Sequence, residues 1–173
     1  MKERGITMTA ESVRAILDGS KTQTRRVVRF RSYADERYGV YPHECPYGVP
    51  GDRLWVKETW CPQLNAFGQT PDGRPPFFRA DGDALPVAHK WRSSRYMPRW
   101  ASRITLEITE IRVQRVQDIS GNDARAEGFG RREHFIRTWD ALNAKRGHEW
   151  DKNDWVWVIS FKRVGGGPCS TSS

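Results

Sequence analysis

Apolar and polar positions divide the chain into a few clear elements. Val13, Ile16 and Leu17 fall at i, i+3 and i+4 between Glu11 and Asp18, which predicts a short amphipathic helix ended by Gly19. A strand follows, entered at Thr22, in which Thr22, Thr24 and Arg26 share one face and Gln23 and Arg25 the other. Gly51 and Asp52 open a second strand, Arg53 to Trp60, with Leu54 and Val56 opposite Trp55, Lys57 and Thr59. A short strand, Phe77 to Ala80, is closed by the Asp81-Gly82 turn. The longest strand signal runs from Ile104 to Val116. Ile104, Leu106 and Ile108 alternate, then the spacing slips by one to Ile111 and Val113, which predicts a β-bulge near Thr109 and Glu110.

Ser120 with Asp123 three residues on reads as a capping box opening a short helix that stops at Gly128. A longer helix, about Arg132 to Ala144, carries Phe135, Ile136, Trp139 and Leu142 on one stripe, expected to be buried. The last strand is Trp155 to Phe161. Trp155, Trp157, Ile159 and Phe161 form one face, and apolar residues on both faces at its start mark it as central. The stretches 33–51 and 61–100 are rich in Pro and Gly or broken in pattern, and read as long loop inserts. Residues 165–173 read as a disordered tail, leaving 1–164 as a single domain.

Composition narrows this picture. Eight Trp, seven Phe and five Tyr in 173 residues supply enough large apolar surface for one α+β core. No run approaches the roughly 20 apolar residues of a membrane span, and Met1-Lys2-Glu3-Arg4 opens no signal peptide, so a cytoplasmic protein without membrane contact is expected. Cys45, Cys61 and Cys169 form no disulfide framework, which fits a reducing compartment. His43, Cys45, Cys61 and His89 match no familiar zinc spacing, and neither a metal nor another cofactor is expected. The formal charge of +8 points to nucleic acid or nucleotides as partners, with a solvated basic surface as the plainer reading.

Two stretches carry candidate chemistry. In Gly19-Ser20-Lys21-Thr22-Gln23-Thr24-Arg25-Arg26, Lys21 stands in the turn above the Thr22, Thr24 and Arg26 face. A cation, two hydroxyls and a guanidinium would converge there, which suits an anionic or carbonyl-bearing ligand. The glycine spacing of a phosphate-binding P-loop is missing, and a solvated helix-to-strand turn has the same composition. The second stretch, 89–103, holds five Lys/Arg and no acid, with Trp91, Tyr96 and Trp100 interleaved. Such a composition holds phosphates while stacking bases, at roughly 1–3 kcal/mol per base. The same aromatics would serve equally as core anchors.

The order of these elements, with Gly19 to Arg26, Gly51-Asp52, Ala124-Arg125-Ala126-Glu127-Gly128-Phe129 and Trp155 to Phe161, resembles the ASCH domain of the PUA-like superfamily. The likeness covers roughly residues 5–164, and Pro98 to Arg103 with the Trp-rich end is similar to a branch often encoded by phages and prophages. The resemblance implies a small curved β-barrel with flanking helices. It also implies two functional classes. Some members are metal-independent amidohydrolases that remove the acyl group from N4-acetylcytidine with a Lys, a Thr and a Glu. Carried over, these are Lys21, Thr24 and Glu127, with Thr22 and Arg26 as neighbours in the motif. Other members bind or cleave RNA.

Residue chemistry is compatible with amide hydrolysis. Thr24 attacks or holds a water that does. Lys21, protonated at an ordinary pKa of about 10.4, donates to the oxyanion, and it becomes a base only if desolvation lowers that value. Glu127 carries the proton. A ribonuclease needs a general base and a phosphate clamp. Arg26, Arg99 and Arg103 suit the clamp, but His43, His89, His134 and His148 belong to no motif. A non-enzymatic module for RNA or single-stranded nucleic acid needs only the cleft, the basic rim and a stacking ring such as Trp55, Trp91 or Trp100.

Overall fold

The computed structural model describes residues 1–30, 41–65, 73–87 and 89–165. Among these, the elements in chain order are β1 (Glu3–Thr7), α1 (Ala10–Leu17), β2 (Gln23–Val27), β3 (Arg53–Lys57), β4 (Trp60–Cys61), β5 (Phe77–Phe78), β6 (Thr105–Arg115), α2 (Gly121–Ala126), α3 (Arg132–Asn143) and β7 (Trp155–Arg163). Short 3₁₀ turns punctuate the connections. No described helix is long and apolar enough to cross a membrane.

Five strands form one sheet in the order β1-β3-β6-β7-β2. β1 and β3 run parallel, and the other neighbours are antiparallel. The register of β6 on β7 shifts between Ile108 and Glu110, the bulge that the apolar spacing predicts. β7 is central and buried on both faces. Trp157, Ile159 and Phe161 pack with Ile6, Val13, Ile16, Leu54 and Leu106, while Val156 and Val158 pack with Ala124, Phe135 and Trp139.

The sheet is not closed, which corrects the expectation of a barrel. Closure would pair β1 with β2, the two edges. Instead the Arg26 guanidinium of β2 donates from Nη2 to the Thr7 carbonyl of β1 at 2.6 Å, so a side chain stands where a backbone ladder would run. β1 itself has almost no sequence signal, because Ile6 is its one buried residue. Gly5 is needed there, since a Cβ would stand 2.9 Å from the Trp55 ring across the parallel register.

Three further differences have local causes. The Arg53–Trp60 strand splits after Lys57, because Glu58 turns inward (1 % exposed) to meet Arg103, and Trp60 then pairs with Phe78. Leu17 and Leu142, assigned to buried stripes, lie at the exposed margins of α1 and α3. Within the expected inserts, Pro42–Glu44 forms a 3₁₀ turn, and β4, β5 and three more turns interrupt the described part of 61–100. Residues 33–40, 66–72 and 88 of the expected inserts, and 166–173, including Cys169 and nearly all of the expected tail, lie outside the described residues.

Candidate active site

Local chemistry brings the end of α2 against the turn before β2. Gly19, with φ at +84°, ends α1, and the Lys21 amide donates back to the Ala15 carbonyl at 2.9 Å. Ser120 and Asp123 cap α2 reciprocally, with Ser120 Oγ accepting from the Asp123 amide at 3.0 Å. Lys21 and Glu127 then form an isolated antiparallel bridge, and the Thr22 amide donates to the Ala126 carbonyl at 2.8 Å. Gly128, at φ +87°, makes the approach possible, because a Cβ there would stand 3.0 Å from the Ala15 Cβ.

The bridge places a charge cluster in the interior. Lys21 and Glu127 are each 4 % exposed. Lys21 Nζ donates to Glu127 Oε2 at 2.7 Å and to the Glu127 carbonyl at 2.8 Å. Arg25, whose side chain is wholly buried, donates from Nη1 to Glu127 Oε1 at 3.1 Å and to Gln23 Oε1 at 2.7 Å. Its Nη2 lies 3.1 Å from Asp123 Oδ2, and Arg112 Nη2 reaches the other Asp123 oxygen at 3.2 Å. Burial alone would raise the Asp123 carboxyl, but Arg25, the Ser120 amide and Arg112 together hold it below the ordinary carboxylate value. Desolvating charges in this way is a poor route to stability. Departures of that kind concentrate where a protein works.

The cluster borders a cavity of about 1130 Å³ that runs along the free edge of β2. Lys21, Thr24, Arg26 and Glu127 line it, and Phe129, Phe135 and Trp139 supply an apolar wall. Burial pulls the Arg26 guanidinium below its ordinary value; Glu127 opposes that effect and Arg146 adds to it.

The arrangement of the strand faces differs from the expected one. The Lys21 ammonium pairs with Glu127, whose other oxygen is held by Arg25, on the Gln23 and Arg25 side rather than over Thr24 and Arg26. Because β2 is an edge strand, residues from both faces reach the same cavity. Thr22 is exposed and contributes its backbone, to Ala126 and Phe161, and not its side chain to the lining.

Trp55, Arg99, Trp100 and Arg103 also lie outside the residues lining the cavity. Trp55 covers Gly5 and sits beneath Lys57 Nζ, 5.3 Å from the ring centroid. Arg99 forms a two-pronged pair with Glu3 at 2.9 Å. Arg103 spans Glu58 at 2.9 and 3.1 Å and Asp81 at 2.8 Å. Trp100 is 60 % exposed and meets Trp60 edge-on at 5.8 Å. Carboxylates distant in sequence thus occupy Arg99 and Arg103, two of the three arginines assigned to a phosphate clamp.

The structure adds residues that pattern reading passed over. Arg25 and Gln23 fell on the face opposite the motif, and Asp123 was legible only as a cap. Arg146 and His148 reach the cavity from the turn after α3, and Asp154 Oδ2 lies 2.8 Å from His148 Nδ1. No sequence spacing announces that pair, since Asp140, through the Trp150 amide, and Gln117, through the Trp150 carbonyl, fix the connecting loop. Among the described residues, no three His, Cys, Asp or Glu side chains come together as a metal site.

No protein-family model matches the chain, and no curated protein matches it significantly. Solved structures similar to it include three from different proteins. Protein EF3133 from Enterococcus faecalis V583, described under the family DUF984, shares 12 % identity at a TM-score of 0.49, covering 100 % of this chain and 86 % of that one. An ASCH domain from Lactobacillus crispatus JV V101 shares 15 % identity at a TM-score of 0.47, over 95 % and 80 % of the two chains. The hypothetical protein PH0355 shares 12 % identity at a TM-score of 0.46, over 95 % of this chain and 100 % of its own.

Proposed function

We propose that the protein is a metal-independent amidohydrolase that removes the acyl group from an N-acylated nucleoside or base such as N4-acetylcytidine. The observation that carries the reading is the buried Lys21–Glu127 pair, 2.7 Å apart, on the wall of a cavity that Thr24 also lines. The motif order shared with the ASCH domain supports it as well.

The steps follow from the residue types. Water, or the Thr24 hydroxyl, adds to the acyl carbonyl carbon while its proton passes to the Glu127 carboxylate. The carbonyl oxygen becomes an oxyanion and accepts from the Lys21 ammonium. Glu127 returns the proton to the exocyclic nitrogen as the C–N bond breaks, releasing the free amine. With water as nucleophile the carboxylic acid leaves directly; with Thr24, water hydrolyses the resulting ester in a second step. The apolar wall of Phe129, Phe135 and Trp139 faces the base and keeps bulk water from the reacting carbonyl.

Incubation with N4-acetylcytidine, followed by the ultraviolet change as cytidine appears, tests this directly. Turnover is expected, with Lys21→Ala lowering kcat about 10²–10³-fold, the effect of removing one oxyanion donor, and Thr24→Ala abolishing most of the rate. Absence of turnover, or turnover indifferent to both substitutions, overturns the reading.

Exposed Tyr96 and Trp100, beside the exposed cations Arg92 and Arg95, favour a second reading as a non-enzymatic binder of RNA or modified nucleic acid. That reading requires affinity that falls steeply with salt and with loss of those cations.

A further inference from the structure

The positive charges on the cavity wall fall into two sets. Lys21 and Arg25 are matched by Glu127 and Asp123 at 2.7 to 3.1 Å. Arg26, Arg29 and Arg146 line the same cavity, and no carboxylate of the described residues lies within ion-pair distance of any of them. Arg26 donates from Nη2 to the Thr7 carbonyl and lies 3.4 Å from Met8 Sδ, while its buried Nε has no hydrogen-bond partner among the described residues. Arg146 closes the 3₁₀ turn Ala144–Arg146 and stands exposed at the cavity mouth. The acids among the lining residues are Glu127, already bound by Lys21 and Arg25, and Glu44, which accepts the Tyr41 amide at 2.8 Å.

Three guanidinium groups on one cavity, none of them paired with a carboxylate, repel each other until an anion arrives. Repulsion from Arg146 adds to burial, the larger cause, in lowering the proton affinity of Arg26. Their planar forks match the tetrahedral oxygens of a phosphate better than a single carboxylate oxygen.

We infer that Arg26 and Arg146 form an anion subsite, and that the substrate is a nucleoside monophosphate bearing the acyl amide rather than the bare nucleoside. The identity of the base-bearing molecule rests on the amidohydrolase reading; the anion subsite rests on the cavity's own charges. The phosphate sits at the mouth against Arg146 and Arg26. The base then lies along Phe135 and Trp139, with its acyl group toward Lys21 and Glu127. Bulk water remains accessible to the phosphate and is displaced from the amide.

Calorimetric binding of cytidine 5′-monophosphate and of cytidine to the full chain, at one ionic strength, separates the alternatives. The monophosphate should bind about tenfold more tightly, the scale of one charge-assisted bidentate contact. Arg146→Gln, at an exposed position whose fold is checked by its melting temperature, should reduce that preference to less than threefold. Equal affinities, undetectable binding of both ligands, or a preference that survives Arg146→Gln overturns the proposal. The two readings fail separately. Hydrolysis of N4-acetylcytidine with equal binding of cytidine and its monophosphate removes the subsite and leaves the enzyme. A preference for the monophosphate that Arg146→Gln removes, with no turnover of any N-acylated compound, does the reverse.

Discussion

Arg25 and Arg103 each hold two carboxylates, yet the two networks have different surroundings. Arg25 binds Glu127 and Asp123 beside a cavity, and Glu127 keeps its second oxygen on Lys21. Arg103 binds Glu58 and Asp81, packs 4.0 Å above the Phe78 ring, and borders no part of that cavity. The carboxylates respond in opposite directions. Burial drives the Glu58 carboxyl above the ordinary value, and Arg103 recovers only part of the cost. Asp123, less deeply buried and facing two guanidinium groups, is held below it. A buried ion pair is therefore not in itself a functional site. The Arg103 network ties the segment before β6 to the end of β3, whereas the Arg25 network holds Glu127 on the wall of the cavity.

The largest effect expected from breaking this contrast is on stability. Arg103→Met strands Glu58 at 1 % exposure, and the cost is about 3–5 kcal/mol, seen in denaturant or thermal unfolding rather than in a selective loss of kcat. Arg25→Lys keeps the charge at the other network but cannot serve Gln23, Asp123 and Glu127 together. We expect kcat on an N-acylated nucleoside to fall about tenfold, the scale of one lost charge-assisted hydrogen bond, with KM changed less. Steady-state kinetics checks the split; equal changes in both would assign Arg25 to binding.

The smallest effect is on pH dependence, and its sign differs between the networks. Asp123 is lowered, so its contribution to stability is in place above the ordinary 3.8 and is lost as pH falls below it. Glu58 is raised, so its contribution is in place below the ordinary 4.5 and is lost as pH rises through the folded value. The stability gap between wild type and Asp123→Asn should narrow on acidification below 3.8. The gap for Glu58→Gln should narrow as pH climbs above 4.5. Unfolding curves across that range would show the two opposed slopes, and parallel slopes would contradict the assignment.

What pattern reading recovers and what it misses have a common cause. The bulge at Ile108–Glu110, the Ser120–Asp123 cap and the buried centre of β7 are written in residues close in sequence. Lys21, Thr24 and Glu127 were accessible through a motif. Closure of the sheet was not legible, because it turns on whether β1, with one buried side chain, meets β2. The clamp assigned to Arg99 and Arg103 failed to anticipate Glu3 and Glu58, which lie 96 and 45 residues away. Arg25 was set aside by an alternation rule that holds for a strand with a covered edge and not for a cavity wrapping a free one.

The proposed hydrolase places ligand chemistry at Lys21 and Glu127 and not on the 89–103 face. A crystal structure of Glu127→Gln with N4-acetylcytidine bound tests it most directly. The acyl carbonyl oxygen is expected within hydrogen-bond distance of Lys21 Nζ, and the base against Phe135 and Trp139. A nucleoside stacked instead on Trp100 or Tyr96, with the Lys21 cavity empty, would contradict it.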